Sequence, residues 1–291
     1  SLFTREMYDQ PYHSMHAYGL TYGLHREALE FGWEEYVDLK AYAESLGLVF
    51  LATAFDVPSV DFLVKLGVVV IKVASGDCDN LPLLHHISNL GISMIVSTGG
   101  MEMVDIYRTV NALSGWGTKF SLLQCTAMYP AQPGRLNLRV IETYRREFPE
   151  TVIGLSDHED GIAFAPVAYA LGARIFEKHL TLNRSMKGSD HAFSIEPTTF
   201  WAMSHLLRDT AAALGDGQKH QYEEERPAML KMGKSLVAVH CLPAGSILRE
   251  NDIAIKSPGG GLRPHEIGGL IGKRLTEGVE ADERFRWEII S

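Results

Sequence analysis

Two histidines, His158 and His179, are the residues of this chain whose types and spacing most strongly suggest chemistry. Each follows a short apolar run, at 151–154 and 173–176, that predicts a buried strand. In a (β/α) barrel the active-site side chains are carried at the carboxyl ends of the parallel strands. Imidazoles from consecutive strands can bind one divalent ion in an oxygen-rich pocket. A lone histidine is usually structural, but this pair predicts a metal-assisted enzyme.

Small polar residues and glycines follow the other predicted strands in the same way. Hydroxyl groups, an ammonium group and glycine-exposed backbone amides on one rim would suit a phosphate group. A single Ser-Gly is more often a turn, but its recurrence at three strand ends favours a phosphate site. Asp77 could act in proton transfer or could cap the next helix, and the pattern slightly favours capping. The residues concerned are Lys72, Ser75, Gly76 and Asp77, then Ser97-Thr-Gly-Gly100, then Ser156 and Asp157.

Strand-like apolar runs alternate with amphipathic segments over the first two thirds of the chain. This alternation predicts a parallel sheet covered by helices on both faces. An open doubly wound sheet is the alternative, but no G-x-G-x-x-G motif follows any of the strands. The predicted strands are 48–53, 68–74, 93–97, 120–125, 151–154 and 173–177, and the predicted helices are 34–46, 57–66, 81–90, 101–113, 138–148 and 162–171.

We therefore predict an α/β fold of the (β/α)8 TIM-barrel type. A closed barrel of this type has eight βα units, whereas only six are visible here. Residues 1–32 are rich in polar and aromatic residues, and we expect an irregular segment that leads into a helix. The chain begins with Ser1 rather than Met. We expect an N-terminally shortened sequence in which the first two barrel strands are missing.

The remainder of the chain has a different character. A helix is predicted from Pro197 to about Leu214, and it completes a barrel domain at residues 1–215. The charged stretch that follows predicts a linker at 216–228. Short β-like runs, joined by Pro- and Gly-containing turns, then predict a small β-rich domain at 229–291.

Composition limits the class of protein. Hydrophobic residues make up 46% of the chain and charged residues 22%, as in a folded globular protein. The net charge of −9 argues against nucleic acid or an anionic membrane as the main partner. No apolar run has the length of a membrane span and no signal peptide is visible, which predicts a cytoplasmic protein. The three cysteines, Cys78, Cys125 and Cys241, fit a reducing compartment, and we expect Cys125 to be a buried, unreactive thiol.

An ordered series of motifs resembles the sialic acid synthase (N-acetylneuraminate synthase) family. The resemblance continues in the tail, where 233–238 and 242–248 are similar to the family's antifreeze-like SAF domain. Residues 18–25 and the Gln124-Cys-Thr form look more like the animal-type branch. The barrel motifs are Ile71-Lys-Val-Ala-Ser-Gly-Asp77, Ser97-Thr-Gly-Gly100, Gln124-Cys-Thr-Ala-Met-Tyr-Pro130, Asn137-Leu-Arg139, Gly154-Leu-Ser-Asp-His158, Glu177-Lys-His179 and Lys187-Gly-Ser-Asp-His191.

The resemblance implies that phosphoenolpyruvate condenses with N-acetylmannosamine or its 6-phosphate. The products would be N-acetylneuraminate or its 9-phosphate, and inorganic phosphate. It also implies a divalent ion, Mn²⁺ or Mg²⁺, with His158 and His179 as its ligands. Asp77 would handle water or proton transfer, and Asp190 would contact the sugar hydroxyls. The residues implied to bind phosphoenolpyruvate are Lys72, Ser75, Ser97, Tyr129 and Ser156.

The same resemblance implies a domain-swapped homodimer, in which the SAF domain of one subunit reaches the partner's barrel. Ser257 stands where many members of the family carry an arginine, and Arg263 is a candidate to replace it. Two alternatives remain open. The chain could make a related nonulosonate, such as legionaminate or pseudaminate. It could also be a non-catalytic sugar-binding remnant, because two strands are expected to be missing.

Overall fold

Six parallel strands form the central sheet of the first part of the chain. This computed structural model describes residues 2–291. The chain divides into two compact units, with the boundary between Gly215 and Asp216. The sheet has the sequential order β1 to β6. Its strands are β1 Ala52–Thr53, β2 Val70–Val73, β3 Ser93–Ser97, β4 Phe120–Cys125, β5 Val152–Asp157 and β6 Ile175–Lys178.

The sequential order distinguishes the two fold classes that the sequence left open. A doubly wound sheet reverses its strand order at a switch point, whereas here every strand pairs in parallel with the next one along the chain. This is the arrangement of a (β/α) barrel, and the fold-class prediction is confirmed as a partial barrel of six strands. Six predicted strands are therefore present, with β1 the shortest.

Nine helices belong to this unit among the described residues. The segment from β1 to β6 alternates strand and helix as the amphipathic pattern predicts. The helix predicted after the last strand is also present as α9. In chain order the helices are α1 Arg5–Asp9, α2 Tyr22–Glu27, α3 Trp33–Ser45, α4 Val57–Leu66, α5 Leu81–Asn89, α6 Met103–Gly115, α7 Val140–Glu147, α8 Ala165–Leu171 and α9 Pro197–Leu214.

The N-terminal segment is more ordered than the sequence suggests. The prediction of an irregular segment over residues 1–32 is wrong for the two short helices α1 and α2. Each begins after a threonine whose hydroxyl accepts a hydrogen bond from a first-turn amide, Thr4 from Met7 and Thr21 from Leu24. Helices of five and six residues are too short to display a helical period, so only the caps could have indicated them.

The core lies between the sheet and its helices. Strand residues such as Ile71, Val96 and Leu122 have no exposed surface, and helix residues such as Leu84 and Ile141 pack in the same cluster. Two helices end at a glycine in the left-handed region: Gly67 after α4 and Gly172 after α8. These turns return the chain to the next strand and thereby set where each strand begins.

The second unit has its own small core. Strands β7 Ser235–Ala238 and β8 Ile253–Lys256 pair antiparallel, and residues such as Leu236 and Phe285 are almost fully buried in this core. Where a linker was predicted at 216–228, a 3-10 turn at 223–225 leads into helix α10 Arg226–Met232. A short helix, α11 Ile267–Leu270, lies later in the unit. Within residues 2–291, no helix combines the length and the apolar character that crossing a membrane requires.

Candidate functional site

The alternation of side chains along β5 and β6 sorts their polar residues into two sets. Successive side chains of a strand point to opposite faces of the sheet. Ser156 and His158 therefore share one face, whereas Asp157 lies on the other. In the same way Glu177 shares a face with His179, and Lys178 lies opposite. The pairing of Asp157 with Lys178 in the strand register brings the two sets side by side.

The two histidines are neighbours. The ring centroids of His158 and His179 are 5.1 Å apart with nearly perpendicular planes. Tyr129 covers His158, with 4.2 Å between the ring centroids. The Nδ1 atom of His158 lies 2.9 Å from the carbonyl oxygen of Thr126. Because a carbonyl oxygen can only accept, Nδ1 carries a proton and Nε2 is the atom free to bind a metal ion.

His179 is close to the carboxylate of Asp190, with 3.6 Å between its Nδ1 and Oδ2. Asp190 itself is held by the Ser189 hydroxyl, which donates to Oδ1 at 2.8 Å. Burial and the nearby charge of His158 lower the pKa of His179. The neutral ring favoured by this shift is the form in which histidine binds metals.

These donors suit a divalent metal that completes its coordination with water or substrate oxygens. No group of three or more His, Cys, Asp or Glu side chains within residues 2–291 has the arrangement of a metal centre. The two imidazoles come from adjacent strands, and each has its Nδ1 close to an oxygen, the carbonyl of Thr126 or the carboxylate of Asp190. Oxygen partners of this kind orient metal-binding histidines in known sites. The residues present therefore fit a metal that leaves positions open for substrate.

A buried ammonium group lies on β2 and is hydrogen-bonded to β3. Lys72 is 6% exposed, and its Nζ donates to the Ser97 hydroxyl at 2.8 Å and to the Val73 carbonyl at 2.9 Å. The carboxylate of Glu177 lies 3.4 Å from the same Nζ. Glu177 is a site residue that the motif reasoning assigned no role. Its spacing of two residues from His179 could have indicated it, because residues i and i+2 share a face of a strand.

Ser75 and Cys125 extend this cluster toward His158. The Ser75 hydroxyl accepts from the Gly99 amide at 2.9 Å. A Cβ at Gly99 would come within 2.8 Å of that hydroxyl and 2.9 Å of the Cys125 sulfur, so only glycine fits. The Cys125 sulfur is 4.0 Å from Nδ1 of His158, and in the strand register Cys125 pairs with Ser156.

Cys125 is buried as predicted, yet it faces the histidines. Burial acts to raise the pKa of its thiol, but hydrogen bonds from His158 and Ser75 outweigh burial and lower it. For His158, burial acts to lower the pKa, while the Cys125 sulfur and the Thr126 carbonyl raise it overall. The contact between the two side chains thus lowers the pKa of the thiol and raises the pKa of the imidazole.

Asp77 occupies a different position from the one expected for a capping residue. The N-cap of α5 is Asn80, whose side chain accepts from the Leu83 amide. The Asp77 carboxylate accepts a hydrogen bond from the Asn80 amide group at 2.8 Å. The slight preference for capping was therefore wrong in its residue, because Asp77 supports the cap rather than forming it.

The opposite face of the same strand ends holds an ion pair. Lys178 Nζ lies 2.7 Å from Asp157 Oδ2 and 3.9 Å from Glu159 Oε2, and the side chains of Lys178 and Asp157 are 2% and 5% exposed. The Glu159 Oε2 atom is buried and has no hydrogen-bond partner. Burial raises the pKa of Glu159. This cluster lies directly behind the two histidines.

The structure thus brings most of the predicted site residues together at one edge of the sheet. Asp77 lies two residues after Ser75, and its carboxylate contacts Asn80. Contacts join Lys72 to Ser97, Ser75 to Cys125, and Tyr129 to His158 and His179. Asp190 reaches His179.

Comparison with known proteins assigns the family. Residues 1–219 match the model of the NeuB family, and residues 233–290 match that of the SAF domain. The chain belongs to the NeuB family. This confirms the resemblance that the sequence motifs indicated, including the SAF domain in the second unit.

Three of the similar proteins carry named activities. The human N-acetylneuraminate-9-phosphate synthase is 38% identical over 99% of this chain and 80% of its own length. The N,N'-diacetyllegionaminic acid synthase of Legionella pneumophila is 33% identical, over 91% of this chain and 75% of its own. The crystal structure of N-acetylneuraminic acid (sialic acid) synthetase from Leptospira borgpetersenii, in complex with citrate, has a TM-score of 0.67 and 31% identity. That match covers 73% of this chain and 75% of the other.

Proposed function

We propose that this chain condenses phosphoenolpyruvate with N-acetylmannosamine or its 6-phosphate. The products are N-acetylneuraminate or its 9-phosphate, and inorganic phosphate. The observation that carries the proposal is the buried Lys72–Ser97 pair, which contacts Glu177, two residues before His179 of the histidine pair. An anion site beside two metal-capable imidazoles is what a phosphoenolpyruvate-dependent aldehyde condensation requires.

The anionic substrate belongs with the cationic part of the cluster. The ammonium group of Lys72 is almost fully buried, so its charge is poorly screened by water. We propose that it binds phosphoenolpyruvate together with the hydroxyls of Ser75, Ser97 and Ser156, and that Tyr129 lines the same pocket. Glu177, 3.4 Å from Lys72 Nζ, keeps this ammonium group paired before substrate arrives.

His158 and His179 would hold Mn²⁺ or Mg²⁺, which when bound polarises the sugar aldehyde as a Lewis acid. Asp190 is half exposed next to His179, in a position to accept hydrogen bonds from sugar hydroxyls. The new carbon–carbon bond joins the methylene carbon of phosphoenolpyruvate to the aldehyde carbon. Water then adds at carbon 2 and phosphate leaves. Asp77 is proposed to move the proton of that water, and Asn80 orients its carboxylate.

We further propose that the active form is a homodimer in which the SAF unit of one chain completes the partner's barrel. In the SAF unit the Lys234 ammonium group donates to the Ser257 hydroxyl at 2.8 Å. Lys234 thus places a cation next to Ser257, the position at which many members of the family are expected to carry an arginine. Sedimentation at several protein concentrations tests the dimer, and a monomer that retains full activity contradicts it.

Phosphate release from phosphoenolpyruvate tests the function. The assay is run with N-acetylmannosamine or its 6-phosphate, after chelation and with Mn²⁺ added back, and the product is identified by mass spectrometry. We expect metal-dependent release, and we expect His158→Asn and His179→Asn to lose at least about a hundredfold in rate, as removal of a metal ligand implies. His240→Asn, on an exposed histidine of the second unit, is the matched control.

The relative from Legionella pneumophila makes a second acceptor worth testing. A diacetamido sugar that supports faster release than N-acetylmannosamine would assign the chain to legionaminate synthesis. Absence of release with every acceptor, from protein that binds Mn²⁺, would overturn the enzymatic proposal and favour a sugar-binding role.

A further inference from the structure

An N-terminal segment contacts a loop that lies far from it in sequence. The Tyr18 hydroxyl donates to the Lys187 carbonyl at 2.7 Å, across 169 positions. The Gly188 amide donates to Nδ1 of His16 at 3.1 Å. The ammonium group of Lys187 lies over the Tyr18 ring, 4.4 Å from its centroid. Two side chains of the segment therefore bind the main chain of the loop at consecutive residues.

The N-terminal segment, residues 11–25, is held together by its own contacts. Pro11 and Thr21 form an antiparallel bridge that closes residues 11–21 into a loop. Inside it, the Tyr18 amide donates to Nδ1 of His25 at 3.1 Å. His25 is 8% exposed and stacks on Tyr12, with 4.5 Å between the ring centroids. The backbone at Tyr18 is thus tied to a buried ring rather than to a free tail.

The contacted loop, residues 182–191, begins shortly after His179 and carries Asp190. Its base is closed by a parallel bridge between Leu180 and Ile195. Residues 182–187 are exposed, and Leu182 keeps 81% of its surface. Arg184 ties the first half of the loop to Asp160 and to the Ala192 carbonyl. The contacts with His16 and Tyr18 hold the part that precedes Asp190.

We infer that His16 and Tyr18 are positioning residues for the acceptor sugar. They fix the main chain at residues 187 and 188, and this places the Asp190 carboxylate 3.6 Å from His179. The inference rests on the proposed function, because it assigns Asp190 to the sugar. It gives the N-terminal segment a supporting role at the acceptor site, through the loop that carries Asp190.

The test is the double variant His16→Ala/Tyr18→Phe, measured first by amide hydrogen exchange. We expect exchange of the hydrogen-bonded amides of Met186 and Gly188 to increase about tenfold or more, with protection of β5 unchanged. In the kinetic assay we expect KM for the sugar to rise about tenfold, with KM for phosphoenolpyruvate unchanged. His16→Asn retains an acceptor near the position of Nδ1 and should restore most of the effect of His16→Ala. The matched control is His13→Ala/Tyr42→Phe, on exposed side chains.

The two readouts separate the possible failures. Unchanged exchange in the double variant would overturn the positioning role, whatever the activity. Increased exchange with both KM values unchanged in an active enzyme would show that the loop does not serve the sugar. If the wild-type protein releases no phosphate at all, the proposed function fails. The exchange measurement then still decides whether His16 and Tyr18 hold the loop, and binding of the sugar decides whether the loop serves it.

Discussion

Replacing Lys178 by methionine should lower the free energy of unfolding of the first unit more than the loss of an exposed ion pair would. The side chains of Lys178 and Asp157 are 2% and 5% exposed, and their charged atoms are 2.7 Å apart. Methionine fills much of the volume of lysine but removes the cation. Two carboxylates, Asp157 and Glu159, then lose the ammonium group that they share, and Glu159 Oε2 already lacks a hydrogen-bond partner.

The magnitude follows from the burial. Removing one partner of a buried ion pair costs about 3–5 kcal/mol, because the other charge stays buried without compensation. An exposed pair contributes about 0–1 kcal/mol. The pair of Arg108 and Asp105 in the same unit, at 3.0 Å with 52% and 28% exposure, is the matched control. Arg108→Met should therefore change the free energy of unfolding by less than about 1 kcal/mol.

The assay is urea unfolding at pH 7, followed by tryptophan fluorescence in a Trp287→Phe background. Trp33, Trp116 and Trp201 then report on the first unit alone. The double variant Lys178→Met/Asp157→Leu should recover part of the loss, because it removes the uncompensated charge as well. A cost for Lys178→Met no larger than that for Arg108→Met would refute the reasoning, since burial would then not govern the energy of this pair.

Three further predictions test the packing and the titration of buried groups. Gly154→Ala should lower the free energy of unfolding by about 1–3 kcal/mol, because its Cβ would lie 2.4 Å from a carbonyl oxygen of β6. Gly134→Ala, whose Cβ would have nothing within 4 Å, is the control and should leave the free energy of unfolding nearly unchanged in the same urea assay. Cys241 is exposed and should react with a thiol reagent in the native protein. Cys78 is buried, which raises the pKa of its thiol to about 11, so it should react only when the protein unfolds. Equal reaction rates of the two thiols in the native protein would contradict this prediction. Burial raises the pKa of Tyr144 to about 12, so the unfolded chain loses this proton first and stability should fall as pH rises from about 10 to 12. Tyr144→Phe should show a shallower decline over that range, and an equally steep one would contradict the assignment.

The regular part of the fold was predictable because its signals are local. Apolar runs and helical periods lie within about ten to twenty residues of the chain. The Leu-Gly pairs at the ends of α4 and α8 mark where each helix ends before the next strand. The short helices α1 and α2 have no such period, and their capping threonines are a weak signal by themselves. The linker region was also hard to assign, because the charged residues 223–225 precede α10 directly.

The candidate site was predictable in composition and less so in its contacts. Lys72, Ser97, His158 and His179 follow from their places near the carboxyl ends of strands. The partner of Asp77 did not follow, because Asp77 and Asn80 are both plausible caps in one short turn and only the backbone path distinguishes them.

The sequence by itself determined which elements form, in what order, and which polar residues each strand carries to the common edge of the sheet. The reason is that strand ends in a parallel sheet meet at one edge whatever the detailed packing. Only the tertiary structure decided the partners: Glu177 for Lys72, Asp157 for Lys178, and the His16–Tyr18 segment for the Asp190 loop. Such contacts join residues that are distant in the chain, so they depend on the strand register and on how the loops fold back over the sheet.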